Sequence, residues 1–312
     1  MSSISVVVPV YNSEDCLLDL CGRLAKVLPG IGPQFEVIFV NDGSRDGSWG
    51  VVDSLAREFR WVRGINLMRN YGQHNAVLCG VRAARHDVIV TMDDDLQHPP
   101  EEIPALIRKL REGHDVVYGT PLKEQHGFLR DLASRITKIA LRSTMGVEVA
   151  RKVSAFRALR APLRQAFSSY HSTFVSIDVL LTWGTTRFAA VPVRHEPRKI
   201  GASNYRVRQL VTHALNMLTG FSTLPLQLAS LVGFVFTLFG ICVLGYVLGR
   251  YIVDGGSVAG FPFLASIIAI LSGAQLFALG IIGEYLARMH FRMMERPPYA
   301  IAVSTSLHDT EP

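Results

Sequence analysis

The chain has 312 residues, 49% of them hydrophobic, and a mean hydropathy of +0.25, which is too apolar for an ordinary soluble enzyme. A net charge of +6 and a pI of about 9.3 would fit nucleic acid, but with apolar runs gathered near the C-terminus they fit anionic lipid and phosphate-bearing substrates better. Cys16, Cys21, Cys79 and Cys242 have neither metal nor redox spacing, so a reduced, cytosolic chain is expected.

Ile4–Val10 reads as a β-run, and no charged and apolar leader precedes it, so no signal peptide is expected. Leu17–Leu28 has helical spacing. Phe35–Val40 reads as a buried strand that leads into Asn41-Asp42-Gly43-Ser44, followed by a helix near Trp49–Phe59. Val62–Leu67 is a third strand, Gln73–Ala84 a helix and Val88–Met92 a fourth strand. Pro104–Glu112 is a helix and Asp115–Tyr118 a further strand. Alternating strands and helices predict an α/β domain with a mostly parallel sheet. Ligands of such sheets sit at the carboxyl ends of the strands. Three polar clusters fall there: Tyr11-Asn12-Ser13-Glu14, Asn41 to Ser44, and Asp93 to Gln97. No Gly-x-Gly-x-x-Gly follows the first strand and no Gly-x-x-x-x-Gly-Lys occurs, which argues against dinucleotide and P-loop chemistry.

The third cluster carries the most chemistry. Asp93, Asp94 and Asp95 follow directly on an apolar strand. One reading is a solvated loop that caps the next helix, since Pro99, Pro100, Glu101 and Glu102 look like a helix start. A cap needs one aspartate, however, not three. The other reading is a divalent cation, because oxygen-only ligands suit Mg²⁺ or Mn²⁺. If the chain stays extended, Asp93 and Asp95 share one side with Gln97, and Asp94 faces the other.

No Asp, Glu, Lys or Arg occurs between Arg208 and Arg250, or between Asp254 and Glu284. Each gap exceeds the roughly 20 residues that span a bilayer. Two transmembrane helices are predicted, at about 225–248 and 261–286. Val207, Val211, Ala214, Leu218 and Phe221 have the spacing of a helix lying on the membrane surface. Arg194, Arg198, Lys199, Arg206 and Arg208 precede the first span, and Arg288, Arg292 and Arg296 follow the second. The positive-inside rule then places the large domain and the tail in the cytoplasm. The expected organisation is a catalytic domain over 1–205, an interfacial helix over 206–223, two spans within 224–288 and a tail over 289–312.

VVVPVYNSED, VNDGSRDGS, RNYGQHNAVLCG and MDDDLQHPPEE, in this order and spacing, resemble family 2 glycosyltransferases of the GT-A fold. The likeness is closer to polyprenyl-phosphate glycosyltransferases. These include dolichyl-phosphate mannose synthases, bactoprenol glucosyltransferases and undecaprenyl-phosphate 4-deoxy-4-formamido-L-arabinose transferases. RKIGASNY resembles their R-x-x-G-x-S-K-Y, and GIIGEYLARMH resembles the end of their second span. The resemblance covers nearly the whole chain.

It implies a nucleotide-sugar donor, UDP-linked rather than GDP-linked because the closer likeness is to bacterial UDP-sugar users, and a polyprenyl phosphate acceptor at the inner membrane. Pro9, Tyr11, Glu14, Asp42 and Asp93 match nucleotide-binding positions. Asp93, Asp95 and Gln97 match the D-x-D-x-Q that holds Mn²⁺ or Mg²⁺, with Asp93 and Asp95 as the catalytic pair. Arg198 and Ser203 match a segment that closes over the diphosphate. Arg130, Ser134 and Arg135 match a helix that reaches the lipid phosphate. Gly43, Ser44 and Asp46 read mainly as turn and cap chemistry. The resemblance also implies a homo-oligomer, with tetramers among the relatives. His74, His98, His126, His171 and His195 have no ligand spacing and read as structural or polar contacts.

The sequence departs from the pattern at three positions. Pro121 follows Gly119-Thr120 where relatives have arginine, Asn204 stands where many have lysine, and Arg151 stands where relatives have aspartate. A membrane-anchored nucleotide-sugar-binding protein without transferase activity is the alternative these departures leave open.

Overall fold

The computed structural model describes residues 3–121, 153–172, 175–196, 224–254 and 260–305. The interfacial segment at 206–223, and Arg130, Ser134, Arg135, Arg151, Arg198, Ser203 and Asn204, lie outside the described residues. The chain divides into two compact units, Met1–Val207 with Glu295–Pro312, and Arg208–Met294.

The first unit is built on an eight-stranded sheet. The strands are β1 (Ile4–Val10), β2 (Phe35–Asn41), β3 (Val62–Leu67), β4 (Val88–Thr91), β5 (Val116–Pro121), β6 (Arg157–Arg160), β7 (Phe188–Val193) and β8 (Ile301–Ser304). Their spatial order is β7-β5-β6-β4-β1-β2-β3-β8. β1 pairs in parallel with β2 and β4, β2 with β3, and β5 with β7. β6 runs antiparallel between β4 and β5, and β8 runs antiparallel along β3. β1 is buried at every position, as expected of a central strand covered on both faces.

Helices cover both faces. On one lie α1 (Glu14–Val27), α2 (Ser48–Glu58) and α4 (Ile103–Arg111). In α4, Ile103, Leu106, Ile107 and Leu110 form the buried stripe, at the spacing of one helical face. This face joins Leu17, Leu20 and Leu24 of α1 to Val6, Val8, Phe39 and Val90 in one core. α3 (Gln73–Ala83) covers the other face. Gly80 permits its close approach, since a Cβ there would stand 2.3 Å from Val7 Cγ1. α5 (Ile177–Gly184) precedes β7.

Helix α1 begins at Glu14, three residues before its apolar spacing does. Its start is secured from another loop: Ser13 N–H donates to Ser48 Oγ at 2.9 Å and Glu14 N–H to Asp46 Oδ2 at 3.3 Å. Exposed N–H groups at a helix start need such partners.

The second unit contains α6 (Leu224–Asp254) and α7 (Phe261–Met293). Leu226–Arg250 and Ile270–Ala287 are long and apolar enough to cross a membrane, and neither is buried within the protein. At 1.5 Å per residue, the 25-residue stretch extends about 37 Å, more than the ~30 Å hydrocarbon core. Leu231, Phe234, Phe239 and Leu244 are exposed on α6, and Phe277 and Leu279 on α7.

The strand β8 was not foreseen from the sequence. The chain leaves the first unit before α6 and re-enters it after α7. Met68 N–H donates to Ala300 O at 2.9 Å, and Gly64 N–H to Thr305 Oγ1 at 2.7 Å. Ile301–Ser304, after α7, are thus a strand of the sheet.

Candidate active site

The carboxyl ends of β1, β2, β3 and β4 gather four loops at one pole of the sheet. The loops after β1 and β2 are laced together. Asn12, at φ +53°, donates its N–H to Ser44 Oγ at 3.0 Å, and its Oδ1 accepts from Arg45 N–H at 2.8 Å. Gly43 turns with φ +65°, and a Cβ there would stand 2.5 Å from Asn70 N, so only glycine fits this crossing. Asp46 Oδ1 accepts from the N–H and hydroxyl of Ser48 at the entrance of α2. Gly43, Ser44 and Asp46 therefore do turn and cap work.

Tyr11 is 46% exposed at this pole, with its ring available for stacking on a base. Pro9 is buried inside β1. Glu14 Oε2 accepts from Gly47 N–H at 2.9 Å, so this carboxylate is held against the start of α2. Asp42 is 2% exposed. Its two oxygens accept from Tyr71 N–H at 2.7 Å and Gly72 N–H at 2.8 Å. Burial pushes its carboxyl up from the ordinary value, and these two N–H groups work against that. Asp42 thus fastens the loop after β3 in place. Beside it, the Arg69 guanidinium lies 4.5 Å from the Tyr71 ring centroid.

The acidic cluster does not continue the strand. β4 ends at Thr91, and the chain bends through Asp94 to His98, with Leu96 at φ +59°. The extended geometry expected for Asp93 to Gln97 is therefore corrected. The division of labour among the aspartates has another origin. Asp94 Oδ2 accepts from Tyr11 N–H at 3.2 Å, which ties the bend to the end of β1. Burial raises the Asp94 carboxyl above its ordinary value, against the pull of the Ser13 hydroxyl and Tyr11 N–H, and the neighbouring Asp95 charge raises it further. Asp93 Oδ1 accepts from the side-chain amide of Gln73, and Asp95 Oδ1 accepts from Gln97 N–H at 3.1 Å. Gln97 O accepts from Glu196 N–H at 2.8 Å, so the bend is also joined to the chain after β7.

Asp93, Asp95 and Gln97 are partly exposed and bring carboxylate and amide oxygens to one bend. This donor set fits a hard divalent cation. Among the described residues no three His, Cys, Asp or Glu side chains form a metal-holding group, so a cation here would take its remaining ligands from Gln97, water or substrate oxygens.

A buried polar network, missed in the sequence, underlies the bend. Thr91 Oγ1 donates to Ala155 O at 2.7 Å and accepts from Arg157 Nε at 3.1 Å. Arg157 pairs with Asp178, which also accepts from the Tyr118 hydroxyl at 3.0 Å. Arg157, Asp178 and Tyr118 are all buried. Burial pushes the Tyr118 hydroxyl well up, and Asp178 adds to that. The network fixes residues 154–156 beside β4. The sequence signal for it was weak: an arginine and an aspartate inside apolar elements, 21 residues apart.

Residues 5–166 match the family described as Glycosyl transferase family 2. An undecaprenyl-phosphate 4-deoxy-4-formamido-L-arabinose transferase of Shewanella sediminis is 38% identical over 308 residues, covering 96% of this chain and 91% of that protein. The protein of the same name from Pectobacterium atrosepticum is 33% identical over 322 residues, covering 100% of this chain and 98% of its own. Among solved structures, glucosyl-3-phosphoglycerate synthase from Mycobacterium tuberculosis, in complex with Mn²⁺, UDP and phosphoglyceric acid, aligns with a TM-score of 0.49 at 20% identity, over 70% of this chain and 76% of its own. With a family match over more than half its residues and relatives that run its full length, the chain belongs to glycosyl transferase family 2.

Proposed function

We propose that this glycosyltransferase moves one sugar from a UDP-linked donor to a polyprenyl phosphate of the undecaprenyl type, with inversion at the anomeric carbon, at the cytoplasmic face of the inner membrane. The observation that carries this reading is the end-to-end similarity to relatives named for transfer to undecaprenyl phosphate. Two helices able to span a bilayer suit a lipid acceptor. Orientation has its own support. β8 follows the second of these helices yet pairs with β3, so the chain on both flanks of the helical pair belongs to one unit, which supports an even number of crossings. The basic residues beside the spans support a cytoplasmic position for that unit.

Tyr11 stacks on the base, and Pro9, Glu14, Asp42 and Asp93 shape the nucleotide end of the site. Asp93, Asp95 and Gln97 would hold Mn²⁺ or Mg²⁺, which would supply positive charge to neutralise the departing diphosphate. Arg198 and Ser203 contact that diphosphate, and Arg130, Ser134 and Arg135 contact the lipid phosphate. A phosphate monoester has a second pKa of about 6, so the acceptor is largely ionised near neutral pH. One of its oxygens bonds to the anomeric carbon as the bond to the diphosphate oxygen breaks, and UDP leaves with the electron pair. No proton has to be removed, so Arg151 in place of an aspartate does not block the reaction.

The anomeric configuration of the lipid product tests the reading. An α-linked donor gives a β-linked sugar phosphate, read by the one-bond and vicinal couplings in NMR. Retention would contradict single displacement. Nucleotide-sugar binding without lipid product under any metal would favour the binding-protein reading.

A further inference from the structure

His98 is a buried side chain whose polar atoms have no work in the site described above. Its residue is 9% exposed, and among the described residues neither ring nitrogen has a hydrogen-bond partner. The ring stacks on Phe156, with centroids 5.3 Å apart and planes 27° apart. The His195 ring meets it edge-on at 5.0 Å. A neutral imidazole carries one N–H donor and one acceptor nitrogen. Leaving buried polar atoms unmet is costly. A phenyl ring would fill the same space between Phe156 and His195 without that cost. A polar group that arrived beside the ring would meet them.

The sheet order says where that group lies. Tyr11, Asp42 and Tyr71 follow β1, β2 and β3. Phe156 precedes β6, and His195 follows β7. His98 thus faces the β6 and β7 side of the acidic bend, away from Tyr11 and Asp42. With the nucleoside at Tyr11, this is the side of the transferred sugar. The cover is light. His195 is exposed, and exposed side chains change rotamer within nanoseconds. Its backbone stays anchored on both sides, by Arg194 on Glu102 at 2.6 Å and by Glu196 N–H on Gln97 O at 2.8 Å. A rotation of His195 would remove one of the two rings packed against His98.

The chemistry selects the group. A phosphate offers only acceptors and is best met by a cation, whereas a hydroxyl both donates and accepts, matching the two nitrogens of a neutral imidazole. We propose that His98, uncovered by His195, hydrogen-bonds a hydroxyl of the donor's sugar and so helps determine which sugar is accepted. This rests on the nucleotide-sugar reading above.

The test is calorimetric titration of the full chain in detergent with Mn²⁺, using UDP, UDP-glucose and UDP-4-deoxy-4-formamido-L-arabinose. The readout is the ratio of affinities for the preferred UDP-sugar and for UDP. His98→Phe keeps the ring and its stacking. It should bind UDP as the wild type does and lose about tenfold in the ratio, the scale of one hydrogen bond. His98→Gln, whose amide offers both a donor and an acceptor, should recover part of that loss. An unchanged ratio in His98→Phe would make the ring a packing spacer and overturn the proposal. Equal losses for UDP and UDP-sugar would overturn it too, by assigning His98 to the acidic bend instead. If His98→Phe does not fold, His98→Met carries the same comparison. A wild type that binds none of the three ligands would overturn the nucleotide-sugar reading itself, and this proposal with it.

Discussion

The carboxylate of Asp94 accepts the backbone N–H of Tyr11 across 3.2 Å, so the middle aspartate of three is turned to the end of β1. Its neighbours are engaged differently, Asp93 with Gln73 and Asp95 with Gln97. Asp94→Ala should therefore weaken UDP binding about tenfold to a hundredfold through a misplaced Tyr11, since a hydrogen bond to a charged group contributes about 1.5–3 kcal/mol. Its dependence on Mn²⁺ should remain. Asp95→Ala should lose that dependence. Titration of UDP with and without Mn²⁺ separates the two, and loss of the Mn²⁺ effect in Asp94→Ala would make Asp94 a ligand.

The buried pair of Arg157 and Asp178 should govern stability rather than binding alone. Asp178→Leu leaves Arg157 buried without its carboxylate, which costs about 3–5 kcal/mol for such a break. Thermal unfolding in detergent should show a marked drop in Tm. The double variant Arg157→Met with Asp178→Leu should regain much of it, because an apolar pair of similar volume often replaces a buried ion pair without loss. No recovery would mean that the Thr91 and Tyr118 hydroxyls depend on the charges.

At the opposite pole, Glu36 is held by the Ser5 hydroxyl, the Arg63 guanidinium and Arg85 N–H. Burial alone would raise its carboxyl, but these three partners outweigh it and leave it below its ordinary value of 4.5. A depressed folded-state pKa stabilises the fold above the unfolded value, and that stability is lost as pH falls through the folded value. Stability measured against pH should therefore decline below about 4.5 through this group. In Glu36→Gln that part of the decline should vanish, and Tm near neutral pH should be lower. An unchanged acid limb would move the cause to other carboxylates.

Strand β8 joins the segment after α7 to the edge of β3. Deleting residues 295–312 should expose that edge and remove the Tyr299 ring from beside Arg82. A lower Tm and a greater tendency to associate through the bared strand are expected. Reporters fused to the two ends of the full chain should fall on the same side of the membrane. Opposite sides would contradict the two-span arrangement.

The central sheet was legible because each parallel strand is a continuous apolar run closed by polar residues: Ile4–Val10, Phe35–Asn41, Val62–Leu67 and Val88–Thr91 appear where their patterns place them. The two long helices were legible from the absence of charge. β6, β7 and β8 were not: Arg157–Arg160 and Ile301–Ser304 are only four residues each and carry no periodicity of their own, and all three form only against strands far away in the chain. The same cause hid the start of α1, which is secured by Ser48 and Asp46. At the site, the acidic cluster stood out in sequence, while its bend and the separate engagement of Asp94 depend on Tyr11, 83 residues away. His98 gave no signal at all, since its position between Phe156 and His195 is set wholly by tertiary contacts.

The most direct measurement is transfer of radiolabelled sugar from UDP-sugars, with GDP-sugars beside them, to undecaprenyl phosphate. It uses the purified full chain with Mn²⁺ or Mg²⁺ and an Asp95→Ala control. Label should enter the lipid phase from one UDP-sugar, require the metal and disappear in Asp95→Ala. No lipid-phase label from any donor, with nucleotide sugar still bound, would contradict the account.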